Sequence, residues 1–309
     1  MGKYPIHPDF KRLERHRIRM NAALLPAVSF VGLVFDRFKP SDGIRETKKT
    51  ILGYLGEDIK IAVYKPENIA PDAPCLIYLH GGAFWMKAAP HHKTLMYQYA
   101  LGAQCVVVFV DYRLAPKYPF PYGVEDCFAA FGWVCEHAQT LGIDPHRIAV
   151  AGDSAGGALT AAVCLMARDR KCAIRPCFQM MIYPVLDSRQ QTRSIQEYVD
   201  TPMWDSVQTQ YMWSIYLKNG AGDQLTYAAP AQADDLHDLP PAFIEAAEFD
   251  CLHDEDVEFA HALERAGVDV QLYESVGTVH AYEFVKTSAI TKASIAMRIE
   301  LLKKAFEKR

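Results

Sequence analysis

Between Arg147 and Ala161 the chain reads RIAVAGDSAGGALTA, an order of residues that few folds accept. Ile148 to Ala151 is a short apolar run with the length and composition of a buried strand. Gly157 to Arg168, rich in Ala and Leu, predicts a helix. Gly152-Asp153-Ser154-Ala155-Gly156 joins the two in a G-x-S-x-G pattern, so strand and helix meet at a tight turn. A serine at the tip of such a turn is presented to solvent, and flanking glycines permit a backbone approach that side chains forbid. The helix that follows turns its first N–H groups and positive dipole end toward the serine, where developing negative charge is stabilised. Ser154 is the candidate nucleophile. Alone, the five residues also suit a glycine-rich turn with an incidental serine, so the rest of the chain decides.

That rest alternates strands with helices. Lys48–Leu55 and Asp58–Lys65 read as an antiparallel hairpin turning at Gly56-Glu57-Asp58. Strands follow at Cys75–Leu79, at Cys105–Val110, whose β-branched run implies burial on both faces, and at Phe178–Tyr183. Pro241–Ala247 and Val268–Ser275 are the last two. Helices are expected over His92–Leu101, Val124–Leu141, Asp254–Ala266 and Ala281–Lys308. The pattern is that of βαβ units around a mostly parallel, eight-stranded sheet flanked by helices, an α/β fold. Half of the 309 residues are hydrophobic, enough for one large core, and no linker divides the chain, so residues 1–309 read as a single domain.

Two stretches break the alternation and are expected to form a helical cap. Residues 1–45 carry a basic run (Lys11, Arg12, Arg15, Arg17, Arg19) and then an apolar run, Ala22–Phe35, interrupted by Pro26 and too short to cross a bilayer. An amphipathic arm of this kind is either a lid on its own protein or an interfacial helix, and the lid is preferred. Asp187–Tyr227 is much longer than an ordinary connection and rich in aromatics (Tyr198, Trp204, Tyr211, Trp213, Tyr216). It emerges at the sheet edge where parallel folds bind ligands.

A serine nucleophile needs a base, an acid to orient that base, and donors for the oxyanion. Asp250 follows the strand Pro241–Ala247 and His280 follows Val268–Ser275, so both emerge at the edge that carries Ser154. Asp254, Glu255, Asp256, His253 and His261 lie on the next helix, where a solvated face or helix-end charge accounts for them. The net charge of −4 without a basic stripe argues against nucleic acid. None of the eight cysteines shows metal-ligand spacing, and they read as small hydrophobes in a reducing compartment. With no leader sequence apparent, a cytoplasmic location is expected.

Read together, His80-Gly-Gly-Ala-Phe, Asp111-Tyr-Arg-Leu-Ala-Pro, Gly142-Ile-Asp-Pro, Gly152-Asp-Ser-Ala-Gly-Gly, Asp250-Cys-Leu-His-Asp-Glu and His280-Ala-Tyr resemble the hormone-sensitive-lipase-like esterases of the α/β-hydrolase fold. The resemblance implies Ser154 as nucleophile, His280 as base and Asp250 as its acid, with an oxyanion hole from the N–H groups of Gly81, Gly82 and Ala155. It implies a serine carboxylesterase acting on small-molecule esters through an acyl-enzyme, and a lid of bulky aromatics, closing the pocket at one end, is expected to favour acyl groups from acetyl to roughly hexanoyl. No cofactor or metal, no stable membrane insertion and no nucleic acid are expected, and a homo-oligomer is left open. An amide or peptide hydrolase on the same triad, or a ligand receptor on the same fold, are the alternatives. Three residues depart from the family pattern: Ala83 for a third glycine, Lys117 for a glutamate, and Tyr282 for a phenylalanine, which is expected to add a hydroxyl beside the base.

Overall fold

A computed structural model describes residues 3–16, 35, 37–39 and 41–307. Of the expected N-terminal arm, residues 1–2, 17–34, 36 and 40 lie outside these. Eight strands form one sheet: β1 (Ile44–Leu52), β2 (Asp58–Pro66), β3 (Ala73–Leu79), β4 (Val106–Asp111), β5 (Ile143–Asp153), β6 (Phe178–Ile182), β7 (Ala242–Phe249) and β8 (Val270–Val279). Their order is β1-β2-β4-β3-β5-β6-β7-β8. Pairings β1–β2 and β2–β4 are antiparallel, and the others are parallel.

The helices used below are α1 (Pro90–Gly102), α2 (Tyr122–Glu136), α3 (Ala155–Asp169), α4 (Arg193–Glu197), α5 (Ser206–Tyr216), α6 (His253–Arg265) and α7 (Ala289–Glu307). Along β4, Val106, Val108 and Val110 pack on the face shared with α2 and α3, while Val107 and Phe109 join the face covered by α1 and α7. The β-branched run is thus buried on both faces, as its composition requires. The chain winds from β3 to β4 on one side and crosses to β5 on the other side of β3. The loops after β3 and β5 therefore splay apart at the point where parallel sheets open a crevice.

The last helix starts later than the sequence suggests. A short 3₁₀ turn, Tyr282–Phe284, follows Ala281, whose φ of 55° is left-handed, and the Ser288 hydroxyl then accepts the N–H of Ile290 at 3.2 Å. His280 consequently sits on a loop rather than at a helix start. The long segment after β6 carries α4 and α5, and Trp204, Trp213 and Tyr216 form core while Tyr211 is exposed. Tyr216 stacks on Phe84 with ring centroids 3.8 Å apart, and the Trp204 indole N–H donates to Thr209 Oγ1 at 2.8 Å. Residues 3–16 bind the same segment: Tyr4 OH donates to Asp200 at 2.6 Å, and the Met203 N–H donates to the His16 carbonyl at 2.7 Å.

Candidate active site

The turn between β5 and α3 is strained by design of its neighbours. Ser154 holds φ 55° and ψ −121°, a region that costs a non-glycine residue about 1–3 kcal/mol. What fixes it is close packing: a Cβ on Gly156 would lie 1.9 Å from the Leu79 carbonyl oxygen, and one on Gly152 would lie 2.3 Å from that of Gly156. The Ser154 N–H donates to the Ile182 carbonyl at 2.8 Å, pinning the tip between strands.

Two distant loops meet this serine. His280 Nε2 lies 3.0 Å from Ser154 Oγ, and His280 Nδ1 lies 2.6 Å from Asp250 Oδ2. Asp250 is fully buried, and its Oδ1 accepts the Leu252 N–H at 3.1 Å. The imidazole is flanked by the rings of Tyr183 at 4.6 Å and Trp204 at 6.0 Å. The competing acids and bases are engaged elsewhere. Asp254 Oδ2 accepts the Ser194 N–H, His253 bridges Asp254 and Glu274, and His261 pairs with Glu264. Burial pushes the carboxyls of Glu255 and Asp256 well above the usual range. This geometry lets a proton pass from the Ser154 hydroxyl to an imidazole held by a buried carboxylate.

Gly81, expected as an oxyanion donor, has its N–H turned to Asp153 Oδ1 at 3.2 Å. The physical reason is the position of that carboxylate: a Cβ on Gly81 would fall 2.2 Å from Asp153 Oδ2. Asp153 Oδ1 also accepts the Tyr78 hydroxyl at 2.7 Å, and Oδ2 lies 3.2 Å from His92 Nε2. Burial alone would raise the pKa of Asp153, but His92, with His91 and Tyr78, holds it below the usual carboxylate range. The Gly82 carbonyl accepts the N–H groups of Trp85 and Met86, closing a tight turn through Gly82, Ala83 and Phe84. Ala83 keeps φ 57° there, the left-handed conformation a glycine would occupy without penalty. Ala155 is the first residue of α3, so its N–H has no carbonyl four residues back within the helix.

His80 is structural. Its ring stacks on Tyr112 with centroids 4.4 Å apart, its Nδ1–H donates to the Gly81 carbonyl at 2.7 Å, and burial pushes its pKa down to about 4. Tyr112 OH in turn donates to the His80 carbonyl at 2.7 Å, which is how the D-Y-R-L-A-P segment supports the glycine turn. Lys117 lies 4.9 Å over the Tyr118 ring.

The Tyr282 hydroxyl does not lie beside the base. It donates to Glu245 in a buried network where Arg298 of α7 binds Glu245 at 2.8 Å and Glu283 at 2.6 Å. Tyr183, whose ring flanks His280, donates its hydroxyl to Glu283 at 2.6 Å. Removing Arg298 leaves two buried carboxylates without a cation. Arg298→Ala is expected to cost about 3–5 kcal/mol of stability, read by denaturant titration, whereas a merely peripheral contact would cost under about 1 kcal/mol.

Sequence reasoning missed the cluster around Asp153. The aspartate fills a variable position of the elbow pattern, and Tyr78 and His92 lie far away in sequence, so only the fold unites them. The open side of the site is a cavity of about 400 Å³ whose walls include Trp85, Met86, Tyr183, Met203, Trp204 and Phe284, with Ser154 and His280 among its lining residues. Among the described residues, no helix is long and apolar enough to cross a membrane.

Residues 76–284 match a family described as the alpha/beta hydrolase fold. The chain is 39% identical over 245 residues to Carboxylesterase NlhH of Mycobacterium tuberculosis, covering 77% of this chain and 76% of that protein. It is 37% identical over 241 residues to Esterase LipI of the same organism, covering 74% of each. Among solved structures, Bacterial Heroin Esterase superposes with a TM-score of 0.90 at 34% identity, covering 98% of both chains.

Proposed function

Because the chain belongs to the α/β-hydrolase-fold family, in its hormone-sensitive-lipase-like branch, and is a carboxylic ester hydrolase, we propose that it cleaves small-molecule esters through an acyl-enzyme on Ser154. The observation that carries this reading is the unbroken chain from buried Asp250 through His280 to Ser154, at 2.6 and 3.0 Å, opening on an apolar cavity. Ser154 Oγ attacks the ester carbonyl while His280 Nε2 takes its proton. Asp250 holds Nδ1–H and with it the required tautomer. The tetrahedral oxyanion is stabilised by the N–H groups of Gly82 and Ala155, and Gly81 serves by anchoring the turn to Asp153. His280 then returns the proton to the leaving alcohol, and water activated by the same base releases the acid.

Met203 and Trp204, from the segment after β6, wall the cavity and act as a cap over it. A bounded apolar pocket favours acyl groups from acetyl to about hexanoyl, because each seated methylene adds only about 0.8 kcal/mol until the wall is reached. A hydrolysis panel of esters from acetyl to palmitoyl, beside matching amides, tests this. Expected is a rise of at most roughly fourfold in kcat/KM per carbon, then a sharp fall, with amides far slower. Amides turned over as fast as esters would make the protein an amidase. A fluorophosphonate should also label Ser154, read by peptide mass; a receptor on this fold would escape it.

A further inference from the structure

One group of donors in the ester pocket touches neither the ester nor the base in the proposed hydrolysis. His91 and His92, on the first turn of α1, have ring centroids 3.7 Å apart, and both line the cavity together with Asp153. One ligand atom from each of the three lies within 4.8 Å of the others. Two imidazoles and one carboxylate with an open side form a donor set suited to zinc and its neighbours in the transition series.

We propose that His91, His92 and Asp153 form a zinc-class metal site, and that an ion held there blocks the ester pocket beside Ser154.

Three details support it. First, the 3.2 Å from His92 Nε2 to Asp153 Oδ2 is long for a charge-assisted hydrogen bond, which runs about 2.7–2.9 Å. It matches the roughly 3.3 Å edge of a tetrahedron built on metal bonds of about 2.0–2.2 Å, so an ion fits between these atoms with little movement. Second, His92 has a partner in both tautomers. Its Nδ1 accepts the Ala89 N–H at 2.9 Å, and the Ala89 carbonyl lies 3.3 Å from the same atom. When the ion takes the Nε2 lone pair, the ring proton moves to Nδ1 and is donated to that carbonyl, the outer contact that metal-bound imidazoles usually make, while the Ala89 N–H gives up its acceptor. Third, the His91 Nδ1 is buried and, among the described residues, has no hydrogen-bond partner. Its ring centroid lies 4.1 Å from that of Phe284, an exposed residue at the mouth, and His91 has to close the donor spacing, within 4.8 Å here, to join the other two on one ion.

The inference rests on the reading of the pocket as the ester site, but its binding step can be measured without catalysis. Metal-stripped full-length protein would be titrated with zinc chloride by calorimetry and with cobalt(II) by visible absorption, in the wild type and in Ser154→Ala. One ion per chain is expected in both, with the absorption of a four-coordinate cobalt site. Intact binding in Ser154→Ala separates this site from the assignment of the nucleophile. In the wild type, zinc should inhibit ester hydrolysis competitively, and chelation should restore the rate. His91→Gln should weaken both binding and inhibition at least about tenfold, the loss that even an outer-contact residue causes. Each rate is referred to that variant's own zinc-free rate. His91→Phe keeps the ring contact with Phe284 and carries the same expectation if the glutamine variant folds poorly. Zinc binding undiminished in both variants would overturn the proposal, as would binding through His91 that leaves hydrolysis uninhibited, or no one-to-one binding at all.

Discussion

Ser154→Ala is expected to lower kcat by about four to six orders of magnitude while the protein keeps its melting profile. The hydroxyl is the only group at the elbow tip able to attack a carbonyl, and His280 Nε2 sits 3.0 Å away to take its proton. Alanine removes both the nucleophile and the proton to be transferred, yet it fits the same strained backbone, because the glycines around it set the conformation. His280→Ala should fall in the same range, and the double variant should be no slower than either single one, since each already disables the same step. Single-turnover assays with an activated ester would measure all three. A Ser154→Ala enzyme retaining a tenth of wild-type turnover would show that attack comes from elsewhere.

Asp250→Asn is expected to cost about 10⁴ in kcat at neutral pH with little change in fold. The buried carboxylate makes two contacts: Oδ2 to His280 Nδ1 at 2.6 Å and Oδ1 to the Leu252 N–H at 3.1 Å. An asparagine keeps its carbonyl oxygen on Leu252 and must then present an NH₂ group to the imidazole. That reverses the hydrogen bond, puts the ring proton on Nε2, and leaves no lone pair facing Ser154. Asp254→Asn, one helical turn later, should change kcat by under about tenfold, because Asp254 caps the backbone of Ser194 instead. If Asp254→Asn proved the severe variant and Asp250→Asn the mild one, the orienting acid would be Asp254.

The parts of this site that could be read from the sequence share one property: local spacing decides them. The elbow is specified within Gly152–Gly157, where contiguous glycines and a serine leave one geometry. Asp250 and His280 each follow a strand whose apolar run is evident, and parallel strands deliver their following loops to one edge. The start of α7 is harder to read, because Ala281 to Ser288 runs into the helix with no Gly or Pro to mark a stop, and the left-handed Ala281 and the Ser288 cap delay the helix. The partner of the Gly81 N–H, and the direction of the Tyr282 hydroxyl, depend on Asp153, Glu245 and Arg298. These come from other elements, and no periodicity announces which carboxylate a given donor will find.

Arg298 also sets an order of events. Everything else in the site precedes it along the chain: the glycine turn after β3, the elbow, Asp250, and the loop with His280. A chain leaving the ribosome N-terminal part first can pair all eight strands before this arginine emerges. Until then Glu245 and Glu283 lack the cation that binds them both, and Tyr183 leans on an acid that is itself unanchored. On the proposed mechanism, competence for hydrolysis is expected only with the final helix, and a nascent polypeptide stalled short of it is expected to carry an assembled sheet and an idle serine.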